Sequence, residues 1–167
     1  MNQSSCCENG AKTGAEAGYE VVRMEKPKGN CSLCEDYAER KKSKPVAVMS
    51  CDGACLRGDI SRQAANMLCH KLAPESTVRI CLGGAFTKDT GQRNLVRTAS
   101  RLIAIEGCPV NCASRMMAGV IEGLTPEIVR ADMLCSFDKK LFGIDEMPPE
   151  EIQVLGRTVA EKIAATL

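Results

Sequence analysis

The chain has 167 residues, with 22 basic and 21 acidic side chains and a net charge of +1. That balance gives no electrostatic footing for nucleic acid or an anionic membrane, and with no Trp, two Tyr and three Phe there is little to stack on bases. No apolar run nears the ~18 residues of a membrane span, and the opening MNQSSCCENG is too polar for a secretory leader, so a cytoplasmic protein is expected.

Residues 1–44 read as a polar extension carrying Cys6, Cys7, Cys31 and Cys34, with a charged stretch from Glu35 to Lys44 that suits a solvated helix or linker. From Pro45 the pattern changes. PVAVMSC is a short buried strand ending in a glycine turn. Gly58–Asp59 offers a helix cap, followed by Ile60, Ala64, Leu68 and Leu72 on one face. VRICLGG is a second strand and turn, Asp89–Ser100 a helix with Leu95 and Ala99 inward, and RLIAIEGC a third strand. Pro109 at a first helical position opens a helix to about Gly123. Ile128–Leu134 is a weaker fourth strand. After Pro148–Pro149, Ile152, Leu155, Val159 and Ile163 mark a C-terminal amphipathic helix. The alternation predicts a three-layer α/β/α domain over residues 45–167, with four parallel strands in the order 2-1-3-4.

Eleven cysteines against one histidine is the outlying feature. Without a leader and with an odd count, a disulfide scaffold is disfavoured, and clustered thiols point to metal or redox chemistry. Cys51, Cys81 and Cys108 each end or follow a predicted strand. In a parallel sheet these ends share one edge, where strands ~4.8 Å apart can present thiolates to one zinc ion held at ~2.3 Å. Cys135 follows the fourth strand and can reach the same edge. In EGCPVNC, Pro109 places Cys108 near a helix cap and Cys112 in the first turn, where both sulfurs can face one ion. Four thiolates suit zinc, and equally an iron–sulfur cluster. The plainer reading is that cysteines are small hydrophobes closing buried strands.

CDGAC with GDISRQAANMLC, then ICLGG, then IEGCPVNCASRMM, resembles the family named for its DGC motif, whose zinc binding is inferred from its cysteines. The resemblance runs from about Pro45 to the C-terminus. It implies Cys51, Cys81, Cys108 and Cys112 as chelators. Glu106 stands where the naming motif has Asp, and Cys55 stands where the family commonly has a small polar residue, available as a fifth ligand.

Other signals compete. Cys51 to Arg57 is also a C-x5-R stretch, similar over about a dozen residues to the loop of low-molecular-weight phosphatases and arsenate reductases. That resemblance implies Cys51 as nucleophile and Arg57 as oxyanion clamp, although the chain lacks the Asp-Pro pair that supplies their general acid. A sulfur or redox carrier would instead keep one thiol, such as Cys55, unligated and reactive. Cys31-Ser-Leu-Cys34 has the spacing of half a zinc site or of a redox dithiol; the metal reading is preferred, because no strand precedes it. Cys69, Met116 and Met117 read as core, His70 as a helix-end charge, and Glu106 and Asp52 as solvated turn residues or acceptors beside the thiols. The expected function is a cytoplasmic thiolate protein whose partner is a metal ion, zinc first and an iron–sulfur cluster second.

Overall fold

The structure is a computed structural model that describes residues 18, 21–29 and 31–167; Cys6 and Cys7 lie outside the described residues. Four parallel strands form one sheet: β1 (Val46–Ser50), β2 (Thr77–Arg79), β3 (Arg101–Glu106) and β4 (Glu127–Arg130), in the order β2-β1-β3-β4. The expected strand order is the observed one.

Alternating residues of the central strands feed two cores. Val46, Val48, Ile103 and Ile105 face α2 (Leu56–Met67) and α7 (Pro149–Ala164), meeting Ile60, Ala64, Leu68, Ile152 and Val159. Ala47, Met49 and Ala104 face the other layer. That layer contains α1 (Ser32–Lys41), α3 (Leu82–Thr87), α4 (Gln92–Thr98) and α5 (Cys112–Ala118). Its core includes Ala38, Ala85, Leu95 and Met117. Both strand faces are covered, which is why these strands read as continuous apolar runs. Between α2 and α7 the backbones close up at Gly156, where a Cβ would lie 2.6 Å from Gln63 Cβ.

Several boundaries differ from expectation. The first long helix begins at Leu56, capped by Cys55 rather than by Gly58–Asp59, and ends in a π-helical turn, Leu68–Leu72, which leaves Leu72 39% exposed. The helix expected over Asp89–Ser100 is α4, which starts only at Gln92, after Gly91 at φ +53°; where VRICLGG is expected to end in a turn, the second strand stops at Arg79 and the short helix α3 follows Cys81 directly. The helix expected from Pro109 starts only at Cys112. Pro109 instead occupies a turn closed by the Asn111 N–H on the Cys108 carbonyl at 3.2 Å, and Asn111 is left-handed at φ +52°. The fourth strand stops at Arg130 and gives way to α6 (Ala131–Leu134). The Glu35–Lys44 stretch is helical up to Lys41 and is docked rather than fully solvated: Ala38 is buried and the Tyr37 hydroxyl donates to the Arg79 carbonyl at 3.4 Å. Among the described residues no helix is long and apolar enough to cross a membrane.

Candidate metal centre

The C-terminal ends of β1 and β3 build the site. The Cys51 N–H donates to the Ile105 carbonyl at 3.0 Å, continuing the β1–β3 pairing one residue past the strand. The chain then turns through Asp52-Gly53-Ala54 into Cys55, which caps α2: its Sγ accepts the Gly58 N–H at 3.4 Å. Backbone is packed on backbone here. A Cβ on Gly58 would stand 2.6 Å from the Gly53 nitrogen, and one on Gly107 would stand 2.6 Å from the carbonyl carbon and oxygen of Arg57. Glycine at these two positions lets the loop after β3 lie against the start of α2, and so beside the Cys51 loop.

Glu106 ends β3 and is fully buried. Its carboxylate accepts the Ser114 N–H at 2.7 Å, the Ser114 hydroxyl at 2.6 Å and the Ala113 N–H at 3.3 Å, all from the first turn of α5. It is neither solvated nor a bystander: it anchors the segment that carries Cys112. The sequence held a weak sign of this, an acidic residue directly continuing a buried apolar strand. Between Cys108 and Cys112, the Asn111 Oδ1 is buried without a hydrogen-bond partner. Asp52, by contrast, is tied to the sheet edge, accepting from Ser50 Oγ at 3.0 Å and Arg79 at 3.3 Å.

Four cysteines are electrostatically coupled in this corner. Burial pushes the Cys51 thiol up to about 12; Cys112, Glu106 and Cys55 push the same way, against a hydrogen bond from the Gly107 N–H. Cys112 is also raised, first by burial, then by Cys108 and Glu106, against a hydrogen bond with Cys51 and the charge of Arg115. The coupling thus runs from Cys55 to Cys51, from Cys51 to Cys112 and from Cys112 to Cys108. Among the described residues, no three His, Cys, Asp or Glu side chains stand ready-made as the ligands of one ion.

The other predicted residues are not among the groups that act on Cys51 or Cys112. Cys81 precedes α3 and is exposed; its N–H donates to Gln92 Oε1 at 3.0 Å, and its Sγ would lie 3.4 Å from a Cβ on Gly84. Cys135 is half-buried and donates to the Ala131 carbonyl at 3.3 Å, packed against the α2–α7 core. Cys69 and Met117 are core, as expected. Cys31 and Cys34 sit at the start of α1, on the opposite layer from α2. Arg57 does not clamp an anion: its guanidinium donates to the carbonyls of Lys139 at 2.6 Å and Leu141 at 3.0 Å, and lies 5.6 Å from the Phe137 ring centre. Both the engagement of that arginine and the burial that pushes the Cys51 thiol up weigh against the C-x5-R reading.

The family model described as the DGC domain matches residues 47–159. The chain belongs to the DGC domain family. No curated protein and no solved structure matches it. The DGC domain spans all four strands but for Val46, together with every residue of the Cys51–Cys112 corner, and leaves α1 outside. Family membership and cysteine content together fit a metal-binding role.

Proposed function

We propose that this DGC-domain chain binds one metal ion, zinc first, through the thiolates of Cys51, Cys108 and Cys112, with Cys55 completing the set. What supports this reading is the run of coupled thiols, Cys55 to Cys51 to Cys112 to Cys108, carried by two separate loops beside the buried Glu106 carboxylate. Glu106 and two neighbouring thiols, Cys112 and Cys55, oppose a negative charge on Cys51. A cation reverses that balance, and its binding releases the thiol protons. The donor set is all sulfur, which suits zinc or an iron–sulfur cluster rather than a hard cation.

The chain's own residues do the positioning. Gly107 donates its N–H to Cys51, Gly58 donates to Cys55, and Glu106 fixes the first turn of α5. Gathering the sulfurs on one centre asks for rotation about cysteine χ1. A four-thiolate zinc is a closed structural site that contributes folding energy.

The test is anaerobic purification of the full chain, elemental analysis and a visible spectrum. One colourless zinc per chain is expected, lost in Cys51→Ser and Cys108→Ser and retained in Cys69→Ser. Retention in Cys81→Ser with loss in Cys55→Ser supports Cys55 as the fourth ligand; the reverse moves that place to Cys81. Iron with sulfide and charge-transfer absorption replaces zinc by a cluster. Equal metal in Cys108→Ser and wild type overturns the reading.

A further inference from the structure

Cys31 and Cys34 fall outside the family match and outside the metal corner. Cys31 is the N-cap of the ten-residue helix α1, exposed, and its side chain makes no capping hydrogen bond. Cys34 is the third helical residue, and its N–H donates to the Cys31 carbonyl at 3.0 Å. A turn closed in this way keeps its terminal Cα atoms within ~7 Å, and disulfides span ~4.4–6.8 Å, so the pair is spaced to close.

The two thiols are not equivalent. Cys34 is half-buried against Gly91, where a Cβ would stand 2.8 Å from Cys34 Sγ, so only glycine leaves room for the sulfur. Gly91 also has φ +53°, which glycine adopts freely. The helix itself is fixed: Glu35 accepts from the Thr90 hydroxyl at 2.6 Å and Ala38 is buried. One sulfur is open to solvent and its partner is shielded three residues away, on a rigid element.

We propose that Cys31 and Cys34 are a redox dithiol that exchanges with low-molecular-weight disulfides, Cys31 attacking and Cys34 resolving. The Cys31 thiolate attacks one sulfur of R–S–S–R′. The S–S bond breaks, R′S⁻ leaves and is protonated by solvent, and Cys31 holds R in a mixed disulfide. Cys34 gives its proton to solvent and attacks Cys31 Sγ. RS⁻ departs and is protonated, and the Cys31–Cys34 disulfide remains. Two thiols are oxidised and one disulfide is reduced, a two-electron exchange.

The sequence makes the test clean, because tryptic cleavage after Lys28 and Arg40 yields a peptide whose only cysteines are Cys31 and Cys34. The reduced full chain is incubated anaerobically with oxidised glutathione, quenched with acid, alkylated and digested. The expected wild-type peptide has lost two hydrogens and carries neither glutathione nor alkyl group. Cys34→Ser should accumulate glutathione on Cys31 to about tenfold the wild-type level, since the intramolecular step that clears it is gone. Cys31→Ser should be glutathionylated at Cys34 about tenfold more slowly than Cys34→Ser is at Cys31. Separate adducts on both thiols of the wild type, without an internal link, would overturn the proposal. So would equal rates in the two variants. Added zinc protecting both thiols from alkylation, in a peptide that never links, would overturn it in favour of a metal pair.

Discussion

Replacing Gly107 by alanine tests whether the loop after β3 is seated against the start of α2. Gly107 is not in the left-handed region, so backbone strain is not at issue; the cost is space. The added Cβ would sit 2.6 Å from the Arg57 carbonyl carbon and oxygen and 2.9 Å from the Gly58 nitrogen. Carbon atoms rest at ~3.5–4.0 Å, so something must move by about 1 Å. None of the three atoms is the end of a flexible side chain: all belong to the first turn of α2, whose Leu56 and Ile60 are fully buried. Forcing volume into such a place costs about 2–3 kcal/mol, which in a chain of this size lowers the melting temperature by about 4–12 °C. The displaced loop also withdraws the Gly107 N–H that favours the Cys51 thiolate, so Cys51 should react more slowly with a thiol reagent in the metal-free protein. Gly83→Ala is the control: nothing lies within 4 Å of its Cβ, and within α3 alanine should be neutral or stabilising by up to ~1 kcal/mol. Thermal unfolding and thiol titration of both variants decide the matter. A Gly107→Ala protein melting within about 1 °C of wild type would refute this packing.

Glu106→Gln should cost about 1.5–3 kcal/mol in urea denaturation, because the buried amide would turn a donor toward the α5 groups that now donate to the carboxylate. Gly156→Ala should destabilise by about 1–2 kcal/mol despite the better helix propensity of alanine, since its Cβ would stand 2.6 Å from Gln63 Cβ and 3.2 Å from the Ala64 nitrogen; thermal melts check it. The metal-free chain should be less stable at about pH 10.5 than at about pH 7.5. Cys51 stays protonated in the fold up to about 12 against an ordinary 9.0, so the unfolded state sheds its proton first and stability falls as pH rises from 9 towards 12. Denaturation at both pH values should show a shallower loss in Cys51→Ala.

The fold was legible because burial on both faces of a parallel sheet leaves unmistakable apolar runs at β1 and β3, and Pro149 with the Ile152–Ile163 spacing marks α7. Crossover handedness then supplied the strand order. What escaped was local backbone. Pro109 is equally at home in a turn and at a helix start, and Asn111 chose the turn by adopting a left-handed conformation that no periodicity reveals. Gly91, also at positive φ, set the start of α4 at Gln92 in the same way. At the site, strand-end position pointed to the loops after β1 and β3, where Cys51 and Cys112 act on one another. It could not foresee that a glycine loop folds back at Gly53 and Gly58 to set Cys55 as the α2 cap while Cys81 stays exposed. Arg57 showed the reverse difficulty: a motif spacing was present, but carbonyls more than eighty positions away had taken its guanidinium.

The hydrogen bond between Cys51 and Cys112 also bears on when the corner can form. The two residues are about sixty positions apart, and the intervening chain includes all of β2 and β3. Unlike a local pair of ligands within one hairpin, they cannot meet until β1 and β3 have paired, which makes this a contact of high order. An interaction completed so late lies mostly on the native side of the folding barrier. Strengthening it should slow the escape from the folded state far more than it hastens arrival there, so this corner acts as a latch on a finished domain rather than as a seed for it.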